Sequence, residues 1–131
     1  MGLTYVSVSL KVPGTTNGGY DALFLVDTGA TGSMAPASDL AKAGIQPVGA
    51  TAYDVADGSG RDAYVLANGQ AVELPFGFAR VRFMGSETVS KVVFGPDDAE
   101  PLLGVTALES TGIGVDPVTR TLRRMAAKPL K

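Results

Sequence analysis

The sequence predicts a mainly β domain, a small closed barrel carrying one or two short helices. Three observations lead there. Glycine (17) and proline (8) are abundant for 131 residues, which favours short strands joined by turns over long helices. Apolar and polar residues alternate in the first recognisable element, Tyr5 to Val12, as a half-buried strand requires. Asp57-Gly58 and Asn68-Gly69 each stand between apolar runs, where both turn positions of a tight hairpin need positive φ.

The elements follow in order. After Tyr5–Val12, residues Pro13 to Gly19 form a turn-rich connection. Ala22-Leu23-Phe24-Leu25-Val26 is a continuous apolar run, suited to a strand buried on both faces, and it delivers the chain into Asp27-Thr28-Gly29. Pro36 to Gly44 reads as a short helix, with Pro near its start, Leu40 and Ala43 on one face and Gly44 as the stop. A short repeat, A-Y-x-[VL]-A-[DN]-G, then runs from Ala52 to Gly58 and again from Ala63 to Gly69. Two copies make two successive turns, not a solenoid. Strands are predicted at Ala71–Leu74, Ala79–Phe83 and Val89–Phe94, and Gly95–Asp98 is a turn. Leu102-Leu103-Gly104 leads into Val105–Glu109, where Thr106 and Glu109 fit a capping box, and Gly112 and Gly114 stop that helix. Ile113–Pro117 and Thr119–Leu122 look like a terminal hairpin. No linker or second domain is visible, so residues 1–131 read as one domain.

Absent residue types narrow the chemistry. Without Cys there are no disulfides, thiol nucleophiles or thiolate metal sites. Without His, the Ser-His-Asp and Cys-His arrangements and nearly all zinc chemistry are excluded. Acid–base work must fall to Asp, Glu, Lys or Tyr, and neither metal nor cofactor is expected. No apolar run is long enough to span a bilayer and no cleavable leader is seen, so the chain reads as cytoplasmic, with no membrane partner. Five of eleven basic residues (Arg120, Arg123, Arg124, Lys128, Lys131) lie in the last twelve positions. The remainder, with six basic and thirteen acidic residues, carries −7. The tail has no interleaved aromatic and the body repels phosphates, so no nucleic-acid partner is expected.

Asp27-Thr28-Gly29-Ala30-Thr31 after an apolar strand, followed much later by Leu102-Leu103-Gly104 before a short helix, resembles the aspartic peptidases of the retroviral type. The resemblance runs from about Val6 to Leu122, and Pro101–Glu109 is similar to bacterial members of this clan. It implies an acid-protease barrel in which Asp27 is catalytic and Thr28, Gly29, Ala30, Thr31, Leu102, Leu103 and Gly104 support its loop. Thr28 would hydrogen-bond across a two-fold axis, and Gly104 would pack behind the loop. A flap tip is implied between the two landmarks. Leu66-Ala67-Asn68-Gly69 is favoured, because Gly69 stands 35 residues before Gly104, and Asp57-Gly58 is the alternative. One departure is plain. The family often has an acid after D-T-G-A paired with an Arg after the second glycine, and here those places hold Thr31 and Val105.

Only one D-T-G occurs, and Asp116, followed by Pro117, fails the pattern. The second carboxylate of a dyad must therefore come from another copy. This predicts a C2 homodimer that hydrolyses peptide or protein substrates, with Ile113–Lys131 as interface. The competing expectations are an inactive domain of this fold kept for dimerisation or peptide binding, and a structural barrel in which D-T-G is only a turn.

Overall fold

Which way each strand faces is settled by its alternation. In β1 (Tyr5–Lys11), Val8 and Leu10 are buried while Tyr5 and Ser7 face out. A computed structural model describes residues 4–15, 18–53 and 72–125. Within them follow β2 (Tyr20–Asp27), β3 (Ser33–Pro36), α1 (Ala37–Lys42), β4 (Gly49–Tyr53), β5 (Val72–Phe83) and β6 (Ser86–Gly95). Then come β7 (Leu102–Gly104), α2 (Val105–Thr111), β8 (Ile113–Val115) and β9 (Leu122–Arg124).

The sheet order is β1-β2-β7-β3-β6-β5, and β5 pairs back onto β1 to close a six-strand barrel. Phe24, Leu10, Val81, Phe83, Val92 and Leu103 fill its interior, each almost wholly removed from water. Helix α1 plugs it with Leu40, and α2 with Ala107 and Leu108. The mainly β closed barrel with two short helices is therefore as the sequence predicts. No helix among the described residues is long and apolar enough to cross a membrane.

Several local expectations are corrected. The two strands expected at Ala71–Leu74 and Ala79–Phe83 are one, β5. Its first part pairs with β4 and its second with β6, so Pro75, opposite Ala50, falls where no partner is recorded on the β6 side. β3, four residues without alternation, was not expected; it is buried throughout because β6 and β7 pair on either side of it. β2 is not buried on both faces. Phe24 points into the core, but Leu23 is 57% exposed. Met84 and Gly85 turn β5 into β6 with φ of 52° and 77°, the left-handed pair that a two-residue hairpin needs.

Helix α1 also fixes the turn after β6. The Ser38 amide, one of the donors left over at the helix start, gives its hydrogen to Asp97 Oδ1 at 3.0 Å. That bond first, then the Ser38 hydroxyl and the charge of Lys42, holds the Asp97 carboxyl below its ordinary value of 3.8. A depressed folded-state value stabilises above the unfolded pKa and stops doing so as pH falls through the folded one. Asp97→Ala should accordingly melt earlier than wild type at neutral pH, with the gap closing as pH drops below 3.8. Thermal midpoints measured from pH 7 downward check this; a gap independent of pH would show that the carboxylate charge is not involved.

Candidate active site

Strand β2 ends at Asp27, and its parallel pairing with β7 sets Leu25 beside Leu102, Val26 beside Leu103 and Asp27 beside Gly104. The two sequence landmarks, far apart in the chain, are thus direct neighbours. Alternation from buried Phe24 places Leu25 and Asp27 on the outer face. The turn that follows is closed by Ala30 N–H donating to Asp27 O at 3.1 Å. Gly29 N–H donates to Asp27 Oδ1 at 3.0 Å, which orients the half-buried carboxylate. A Cβ on Gly29 would stand 3.3 Å from that same oxygen.

The loop from Thr28 to Gly32 is clamped to the segment opening α2. Val105 N–H donates to Ala30 O at 2.8 Å and Thr106 N–H to Thr31 O at 3.1 Å. Gly104 N–H donates to the hydroxyl of Ser33, which is buried. These bonds overturn the capping box expected from Thr106 and Glu109. Gly104 is the N-cap, no side chain caps the helix, and the loop carbonyls take first-turn amides that a cap would serve. They also join loop and helix at the places where the family's ion pair is missing.

Gly104 allows this contact. A Cβ there would meet Gly32 O at 2.5 Å, Gly32 C at 2.6 Å and Thr31 O at 2.8 Å, all backbone that cannot rotate away. Gly104→Ala should therefore cost about 1–3 kcal/mol, as overpacking does, and displace the Asp27 loop. Urea denaturation checks it, and wild-type stability would show that loop and strand separate at no cost.

From Leu25 an apolar row crosses the sheet in register: Leu102, then Met34, Val93 and Phe76. Met34 and Val93 are buried on this outer side, packed with Leu74 and Ala99. Asp27 thus stands at the margin of an apolar floor. A groove of about 700 Å³ also borders the loop, lined by Thr28, Val105, Leu108, Glu109, Arg124 and Met125 among others. One wall is the β8–β9 hairpin, tied down by Arg124, which donates to Ser86 Oγ at 2.6 Å and to Met84 O. Asp116 serves the hairpin's turn. Its Oδ1 accepts the Thr119 and Val118 amides, Thr119's bond leading, and its carboxyl is held below the usual range.

Asp27, Thr28, Gly29, Ala30, Thr31, Leu102, Leu103 and Gly104 are brought together in one unit. Leu66, Ala67, Asn68 and Gly69, and the alternative Asp57-Gly58, lie outside the described residues. Sequence reasoning missed Ser33, whose signal was a small hydroxyl residue leading into an apolar stretch. Tyr5 and Glu100, on either side of β2, are joined by a hydrogen bond.

A closed barrel whose single Asp-Thr-Gly loop is clamped between a Leu-Leu-Gly strand and the short helix after it defines the retropepsin-like aspartic protease fold. The model of an aspartyl protease family of that clan matches residues 12–107, and the chain belongs to this family. Among curated proteins none matches it.

Proposed function

We propose that the chain is an aspartic endopeptidase that works as a C2 homodimer, each copy supplying one Asp27. The observation that supports this most is the presentation of Asp27: an oriented carboxylate at the edge of an apolar floor, on a loop fixed from behind by three hydrogen bonds. Family membership adds that such a loop belongs to aspartyl proteases.

The chemistry follows from two carboxylates sharing a site. Close together they cannot both ionise, so one keeps a proton. The ionised group takes a proton from a water, whose oxygen attacks the scissile carbonyl carbon. The protonated group donates a hydrogen bond to the carbonyl oxygen as charge develops there. Collapse of the tetrahedral adduct breaks the C–N bond, and the leaving amine takes up a proton. Thr28, exposed beside the groove, is the residue proposed to brace the two loops across the axis. The β8–β9 hairpin, with Met125 54% exposed, is the proposed interface element.

The test is a peptide-library cleavage assay from acidic to neutral pH, wild type beside Asp27→Asn. Cleavage by wild type alone, falling away at alkaline pH as the dyad loses its shared proton, supports the proposal. Specific peptide binding without cleavage in both proteins supports the inactive binding domain in its place.

A further inference from the structure

Outside its last twelve residues the chain has six basic residues against thirteen acidic ones, and four of the six gather on one face of the barrel. Leu10 and Val81, paired across β1 and β5, point inward, so alternation turns Lys11, Arg80 and Arg82 outward. Lys11 stands directly opposite Arg80, and Ser9 opposite Arg82. Lys91, on β6 opposite Phe78, is the fourth. Ser9, Lys11, Arg80, Arg82 and Glu87 line a cavity of about 240 Å³, three cations around one carboxylate. Arg80 is held there, Nη2 donating to Thr15 O at 2.6 Å while Nε lies 3.5 Å from Glu87 Oε2. Arg82 is exposed. Like charges directly opposite each other weaken a sheet, so Lys11 facing Arg80 is a cost that an incoming anion would offset. Beside the cations the face is apolar: Phe78 is 47% exposed and Val89, opposite Arg80, is 58% exposed. Asp21, which pairs with Ser9, stands six residues before Asp27 on β2. At about 3.3 Å per residue this face lies roughly 20 Å along the strands from the Asp27 carboxylate.

We propose that this face docks an acidic polypeptide segment of a partner protein, lying extended along β5. The inference stands apart from the peptidase reading. An extended chain presents side chains to one side at every second residue, about 6.6 Å apart, and Phe78, Arg80 and Arg82 follow the same repeat. A segment with two acids and an apolar residue at alternate positions matches that row. Its carboxylates meet Arg80 and Arg82, whose guanidinium forks suit a carboxylate, with Lys11 beside them. Its apolar side chain covers Phe78 and Val89. A nucleic acid fits this face less well. Asp21 and Glu87 flank the row through Ser9 and Arg82 on its two sides, and a run of phosphates would meet both.

The experiment follows fluorescence anisotropy of a labelled peptide alternating glutamate and valine, titrated with the full chain carrying Asp27→Asn so that cleavage does not enter the reading. A peptide alternating glutamine and valine, inorganic phosphate and a single-stranded oligonucleotide serve as comparisons. The glutamate peptide should bind about tenfold tighter than the glutamine peptide, and added salt should weaken it. Arg82→Gln should lower its affinity roughly two- to fivefold, and charge reversal in Arg82→Glu by more than about tenfold. Phe78→Ala should also weaken it, as a site for simple anions would not require. Circular dichroism melting curves matching the parent protein show that the exposed substitutions leave the fold intact. Equal binding of the glutamate and glutamine peptides, or an affinity unmoved by Arg82→Glu, overturns the proposal. Phosphate displacing the peptide at equal concentration overturns it in favour of a free anion. An oligonucleotide that binds more tightly than the peptide, and loses that binding in Arg82→Glu, overturns it in favour of a nucleic acid.

Discussion

Asp27→Asn is expected to abolish peptide cleavage while leaving a folded dimer. The substitution is nearly isosteric, and the Asn carbonyl oxygen can still accept the Gly29 N–H that orients the native side chain at 3.0 Å. Among the described residues the clamp runs through the backbone carbonyls of Ala30 and Thr31 and the hydroxyl of Ser33, which Asn at position 27 leaves in place. What is lost is the group that takes the proton from water. General-base catalysis alone is worth about 10² to 10⁴ in rate, so turnover should drop at least that far. Circular dichroism and sedimentation should match wild type. Turnover within tenfold of wild type would remove Asp27 from the mechanism.

Mixing supplies the second large effect. Wild type combined with a ninefold excess of Asp27→Asn should lose about tenfold of its activity per wild-type chain, because random pairing places nine in ten wild-type chains opposite a mutant. Dilution below the dimer dissociation constant should lower specific activity for the same reason. Each described chain holds a single Asp-Thr-Gly loop, and Asp116 is engaged in its own turn. A chain that remains monomeric by sedimentation and cleaves peptides at undiminished specific activity would end the shared-site proposal.

What the sequence disclosed depended on whether local pattern and tertiary demand agreed. They agree at Asp27-Thr28-Gly29 and Leu102-Leu103-Gly104, where an apolar strand must end in a tight loop and a second strand must leave room for it. They agree again at α1, where Leu40 is buried and Gly44 takes a φ of 85°. They part where a neighbour in space changes the meaning of a residue. Thr106 has the spacing of a cap, yet its amide is already held by Thr31. Leu23 belongs to an apolar run, yet is largely exposed because alternation from buried Phe24 turns it to the outer face of β2. Pro75 interrupts a pattern without interrupting β5, because the pairing partner changes there. Glu100 gave no signal at all. Among the described residues it is met by a tyrosine hydroxyl from the far end of the sequence.

The parallel pairing of Asp27 with Gly104 also governs when the site can exist. Parallel neighbours need a crossover, and this one encloses β3 through β6, most of the barrel. Closing so long a loop costs chain entropy before any contact rewards it, so pairings of this kind form late and slowly. During synthesis, Asp27 leaves the ribosome long before Gly104 and Val105, and until they arrive its loop lacks the strand and amides that hold it. The nascent chain therefore carries the Asp27 carboxylate on a loop that is not yet clamped. The proposed site is complete only as the barrel closes, which separates the timing of its assembly from the timing of translation.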